Sequence, residues 1–97
     1  MKYMIDITLP TQLSDDFQSK IPLQIDCVSS MMQTGTMISY TLSMDRSKLW
    51  IVLNANSKNE AKSLLKAMPL YHYFEYAITE LMFNNINITL YTQFSLN

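Results

Sequence analysis

Thr36-Met37-Ile38-Ser39-Tyr40-Thr41-Leu42-Ser43-Met44, the link Asp45-Arg46-Ser47, and Lys48-Leu49-Trp50-Ile51-Val52-Leu53-Asn54-Ala55 form the stretch on which the fold turns. The first part alternates Ile38, Tyr40, Leu42 and Met44 against Met37, Ser39, Thr41 and Ser43, which is the two-residue period of a half-buried strand. The last part is a dense apolar run, and the short polar link between them makes the pair a hairpin. Working outward toward the C-terminus, Ser57-Lys58-Asn59-Glu60 is a capping box, in which the hydroxyl and the carboxylate each satisfy a backbone donor of a first helical turn. Ala61, Leu64, Leu65 and Met68 continue it as a narrow apolar stripe that Pro69 ends. A strand is expected from about Tyr71 to Phe83.

Outward toward the N-terminus, Gly35, the only glycine, suits the left-handed residue that closes a helix. From Ser14 to Gln33 the apolar residues Phe17, Ile21, Ile25, Val28 and Met32 recur at steps of four, four, three and four, one stripe of an α-helix. Pro22 inside it predicts a kink, or a short helix followed by a longer one with Pro22 in its first turn. Before that, Tyr3, Ile5, Ile7 and Leu9 alternate with Met4, Asp6 and Thr8 until Pro10, another strand. The order is strand, helix, strand, strand, helix, strand. That is the α+β class, a ferredoxin-like antiparallel sheet with two helices on one face. Residues 84–97 alternate again through Ile86, Ile88, Leu90, Phe94 and Leu96, which predicts an extra C-terminal strand paired with another subunit. The chain thus divides into a domain over residues 1–83 and an arm over 84–97.

Composition bounds what such a domain can do. With 97 residues, 48% of them hydrophobic and 15% charged, there is material for one core and too little charge for disorder. Seven Lys and Arg against eight Asp and Glu, without runs, give no footprint for nucleic acid or a membrane surface. The single cysteine, Cys27, excludes an internal disulfide, and with the single histidine, His72, it cannot complete a four-ligand zinc site in one chain. The eight methionines read as core filling, so no metal and no cofactor is expected. Asp6 falls where a secretory apolar region would have to continue, and no apolar run reaches membrane-spanning length, so a cytoplasmic location is expected.

The parity of the strands divides the sheet into two faces. Ile5, Ile7, Ile38, Tyr40, Leu42, Leu49, Ile51, Leu53, Phe74, Tyr76 and Ile78 are expected under the helices. Met4, Asp6, Thr8, Met37, Ser39, Thr41, Trp50, Val52, Tyr73, Glu75 and Ala77 fall on the uncovered face. Trp50, Val52, Tyr73, Met4 and Met37 would there form an exposed apolar patch, the kind that marks a partner or a pocket. A homodimer or higher homo-oligomer joined through this face is expected. Asp6 and Glu75 share it, and two carboxylates in a partly dry cavity repel, so that one can hold a proton near neutrality and act as an acid or base. Solvated or ion-paired acids at a subunit edge remain the plainer alternative.

The segment Met68-Pro69-Leu70-Tyr71-His72-Tyr73-Phe74-Glu75-Tyr76-Ala77-Ile78-Thr79-Glu80-Leu81, with Asp6 ahead of Thr8-Leu9-Pro10 and with Gly35, resembles muconolactone isomerase and its relatives among the dimeric α+β barrel proteins. The resemblance implies ferredoxin-like subunits that pair through their open faces into a barrel, with a lactone pocket on that face. It implies an isomerase or lyase acting on a small lactone or carbonyl compound, with Asp6 and Glu75 moving protons and Met4, Ser39, Thr41, Trp50 and Tyr73 contacting the ligand. Where that family carries basic and aromatic residues on its second strand, this chain has Ile38, Ser39 and Thr41, and a family glutamate falls on Ala77. Charge for a substrate carboxylate is therefore missing from that face. The alternative is a non-catalytic ligand-binding or oligomeric structural protein of the same fold.

Overall fold

The computed structural model of the chain describes residues 1–87. It contains β1 (Lys2–Thr8), α1 (Asp15–Gln33), β2 (Met37–Leu42), β3 (Lys48–Asn54), α2 (Lys58–Lys66), a 3₁₀ turn (Tyr71–Tyr73) and β4 (Glu75–Leu81). The sheet order is β2-β3-β1-β4 and every neighbouring pair is antiparallel, the split βαβ arrangement expected of the sequence. Strand β1 sits inside the sheet, with Ile5 facing Ile51 on one side and Ile78 on the other, and Ile7 facing Leu49 and Tyr76. Both helices lie on the face these residues share. Phe17 and Val28 of α1 and Leu65 of α2 join Ile5, Ile7, Leu49, Ile51 and Leu53 in one core. Burying a side chain of this size completely is worth about 1.5–3 kcal/mol, which is why the period-two pattern fixes the sheet so firmly.

The caps form as the residues dictate. Ser14 accepts from the Phe17 amide at 3.1 Å, and Ser57 accepts from the Glu60 amide at 3.1 Å. The Glu60 carboxylate reaches back to the amide of Asn56 at 3.3 Å, one residue before the cap. Gly35 adopts φ +78° and its amide donates to the Met32 carbonyl at 3.2 Å, closing α1 in the left-handed conformation that glycine reaches without strain.

Four expectations are corrected. Helix α1 runs unbroken through Pro22, which is exposed, as is Gln18, the residue four before it whose carbonyl a proline leaves without its helical donor. Its core stripe is Phe17, Ile21, Gln24, Val28 and Met31, while Ile25 is 61% exposed and Met32 is also exposed. A bulge at Met37–Ser39 reverses the parity at the start of β2, so that Met37 pairs with Leu53 and lies 3% exposed in the core instead of on the open face. Strand β4 begins only at Glu75 and ends at Leu81, because Leu70–Phe74 fold back on Met68–Tyr71 through 3₁₀-type bonds after Pro69. Of the predicted C-terminal strand, residues 86 and 87 are irregular and 88–97 lie outside the described residues. Among the described residues no helix is long and apolar enough to cross a membrane.

Candidate functional site

The register lays out the open face in rows. Across β2, β3, β1 and β4 run Thr41, Trp50, Asp6 and Ala77, and next to them Ser39, Val52, Met4 and Thr79. At one end lie Lys48, Thr8 and Glu75. Met4, Asp6, Ser39, Thr41, Trp50 and Glu75 therefore do share this face. Asp6 opposes Ala77 while Glu75 opposes Thr8, which makes the carboxylates diagonal neighbours with backbone positions about 7–8 Å apart in a pair of this kind. The group that actually engages Asp6 is an ammonium: Lys48 Nζ lies 2.7 Å from Asp6 Oδ1 and donates to Thr8 Oγ1 at 3.0 Å. Lys48 has the parity of Trp50 and Val52, so its place was readable from the alternation even though apolar counting passed over it.

The apolar patch is smaller than expected. Val52, between Met4 and Ser39, is only 3% exposed, and Trp50 and Met4 are half-buried. Met37 has gone to the core. Tyr73 is also elsewhere: it belongs to the 3₁₀ turn, its ring meets Phe17 edge-on at 5.1 Å, and its hydroxyl donates to Asp16 Oδ2 at the start of α1. Ser14 lies 3.3 Å from the same hydroxyl, and Lys20 pairs with Asp16 at 3.1 Å. Hydrogen bonds from Tyr73 and then Lys20 hold the Asp16 carboxyl below its ordinary range. Tyr73 thus latches the entry to β4 onto α1 and is absent from the open face.

A half-open cleft of about 430 Å³ lies on the other side of the sheet, under the N-terminal half of α1. Its wall is apolar, drawn from Leu9 and Leu13 before α1, from Phe17, Ile21 and Ile25 on it, from Leu42 and Leu49 of the hairpin, and from Leu70 and Phe74. Three polar residues break that wall: Gln24, Tyr40 and Arg46. Gln24, 2% exposed, is fully used, because its Oε1 accepts from the Leu70 amide at 3.1 Å while its Nε2 donates to the Tyr40 hydroxyl at 3.3 Å and lies 3.6 Å from the Met68 sulfur. The backbone bond fixes which end of the amide faces the tyrosine. Burial pushes the Tyr40 hydroxyl above its ordinary pKa, against a smaller opposing effect of the Gln24 hydrogen bond, so it stays protonated. Arg46 comes from the turn between β2 and β3. Neither Gln24 nor Arg46 was singled out in the sequence, since the first breaks an apolar stripe and the second sits in a polar link.

Among the described residues no Asp, Glu or His lines the cleft, and no three such side chains or cysteines gather where a metal ion could be held. Cys27 is partly buried against the core, and desolvation pushes its thiol up.

No family model matches the sequence, and no curated protein matches it either. The fold is nonetheless shared with solved structures. Muconolactone isomerase, in a crystal structure at 3.3 Å resolution, superposes with a TM-score of 0.72 at 15% identity, covering 91% of this chain and 95% of that one. The 5-chloro-2-hydroxyhydroquinone dehydrochlorinase of Burkholderia phenoliruptrix, solved in complex with 2,5-dihydroxybenzoquinone, gives a TM-score of 0.60 at 12% identity, covering 87% of this chain and 96% of that one. The chain has the muconolactone isomerase-like fold.

Proposed function

We propose that the chain is a muconolactone isomerase-like small-molecule protein that takes up a small lactone or carbonyl compound in the cleft beneath α1. The cleft itself carries this reading. Its volume of about 430 Å³ and its apolar wall with few polar groups are those of a small-ligand site. Tyr40 gives it chemistry. With Gln24 donating to the hydroxyl oxygen, the hydroxyl proton is left to point at a ligand carbonyl, and burial makes such a bond matter more than it would in water.

The test uses the single tryptophan as a reporter of the other face. Muconolactone titrated into the full chain should shift the resonances of Tyr40 and Gln24 and leave Trp50 fluorescence unchanged. Tyr40→Phe should weaken binding about 3- to 10-fold, the worth of one neutral hydrogen bond. Quenching of Trp50 with undisturbed Tyr40 resonances would move the ligand to the open face and defeat this reading.

A second reading, an isomerase or lyase working from the open face, is favoured by one observation. The carboxylates Asp6 and Glu75 stand there beside Lys48 and Trp50, whereas no carboxylate or imidazole of the described residues lines the cleft. Met4, Ser39 and Thr41 would then contact the substrate. Asp6→Asn and Glu75→Gln should each abolish turnover with the fold intact, and activity surviving both would remove this reading. On either reading the open face is the surface we propose to pair with a second copy into a homodimer, with residues 84–97 as an arm reaching another subunit.

A further inference from the structure

Arg46 has φ +64°, in the left-handed region that residues with a Cβ reach only at a cost, and the turn around it is built to hold it there. Asp45 Oδ1 accepts from the Ser43 hydroxyl at 2.7 Å, the Ser47 hydroxyl at 2.7 Å and the Ser47 amide at 3.0 Å. The Ser43 hydroxyl oxygen in turn accepts from the Lys48 amide at 3.0 Å, and the Arg46 amide donates to the Ser43 carbonyl at 3.0 Å. This small network occupies Asp45 Oδ1 and the hydroxyls of Ser43 and Ser47, and the Arg46 guanidinium takes no part in it. Arg46 lines the cleft, is the only charged residue among the described residues that does so, and its guanidinium has no carboxylate partner among them. A cation beside an apolar wall, with no carboxylate paired to it among the described residues, is complementary to an anionic ligand with an apolar body.

We infer that the cleft binds a small, mostly apolar monoanion and that Arg46 reads its charge. The inference rests on the cleft being the ligand site. The anionic group meets Arg46 at the hairpin end, the apolar body lies along Ile21, Leu42, Leu49 and Phe74, and Tyr40 donates to a second oxygen deeper in. The positive charge that the second strand lacks on the open face is thus supplied from a turn, on the opposite side of the sheet.

Cinnamate and cinnamamide have the same shape and differ in charge, so their binding to the full chain by calorimetry tests the inference. Cinnamate should bind at least about tenfold more tightly than cinnamamide, the scale of one charge-assisted hydrogen bond, with the advantage shrinking as salt is raised. Arg46→Gly should raise the melting temperature, because glycine takes the left-handed conformation freely, and should bring the two probes to within about twofold. Arg46→Lys should retain part of the preference as a point charge. Equal binding of both probes to the unaltered chain would overturn the role of charge and leave the cleft as a ligand site. A preference that persists in Arg46→Gly would overturn the assignment to Arg46. Binding of neither probe would overturn the cleft as a ligand site and this inference with it.

Discussion

Trp50 and Ile51 are adjacent on β3 and meet different physics. Ile51 points under the helices, packed among Ile5, Tyr40 and the core, with no exposed surface. Trp50 points to the open face, half-buried between Asp6 and Thr41. On the covered face the buried positions are set by space, and Gln24, the one buried polar residue among those described, is matched donor to acceptor. On the open face apolar and charged residues mix, with an ion pair beside a tryptophan, and nothing in the single chain demands that arrangement. A face packed around a core within one chain reports first how the protein folds, even where it leaves a cleft at its edge. A face with more apolar surface and charge than folding needs reports what else it meets.

The largest effect should come from breaking the covered face. Ile51→Ala should cost about 2–5 kcal/mol in chemical denaturation, through lost transfer energy and the cavity left behind. A cost below about 1 kcal/mol would mean that the helices close over the gap and that this face is less tightly determined than the register suggests. Trp50→Asp tests the other side of the same strand. It should leave the fold of the isolated chain intact and weaken self-association, measured by sedimentation, because it would set an unpaired charge in a closed interface. Association at unchanged strength would make the open face a solvent face.

Gln24→Leu sharpens the contrast from within the core. It keeps the volume and removes the amide that serves Leu70 and Tyr40, leaving the buried Leu70 N–H unpaired at a cost of about 1–3 kcal/mol. Because Tyr40 would lose only an incoming donor, Tyr40→Phe added to Gln24→Leu should cost little more. Full additivity would show that the two side chains do not act as a unit.

These differences also explain what could be read from the chain before its structure. Strands β1 and β3, the Ser57 cap, Gly35 and the sheet's covered face follow from strict alternation and local capping, where each residue's role depends on near neighbours. The bulge at Met37 was hidden because one extra residue reverses parity without any composition signal, and glycine is not required there. The α1 stripe was misplaced at Ile25 because a glutamine was not credited as a core residue, although Gln24 has the partners to be one. Tyr-His-Tyr-Phe looks extended in isolation, while the bonds that fold Tyr73 into a 3₁₀ turn run to the carbonyls of Met68, Leu70 and Tyr71. Of the site, the shared face of Asp6, Glu75 and Trp50 was legible in parity. The cleft was not, since Leu70, Arg46 and Gln24 meet only after three separate segments pack.

The smallest effect in the isolated chain is expected at Lys48, and it is the one whose size depends most on what covers the open face. The Lys48 and Asp6 side chains are 35% and 51% exposed, and an ion pair that wet is worth about 0–1 kcal/mol despite its 2.7 Å separation. Lys48→Met keeps much of the apolar stem and removes the charge, so at concentrations where the chain is a monomer the loss should stay within that range. If a second copy closes over the face, the pair is desolvated, and removing one partner strands Asp6 at a cost of about 3–5 kcal/mol. The same substitution should then cost more as protein concentration rises, because the assembled state carries the penalty and the monomer does not. Denaturation midpoints measured across a hundredfold range of concentration decide between the two: a small loss at every concentration leaves Asp6 in water, and a loss that grows with concentration puts it inside an assembly.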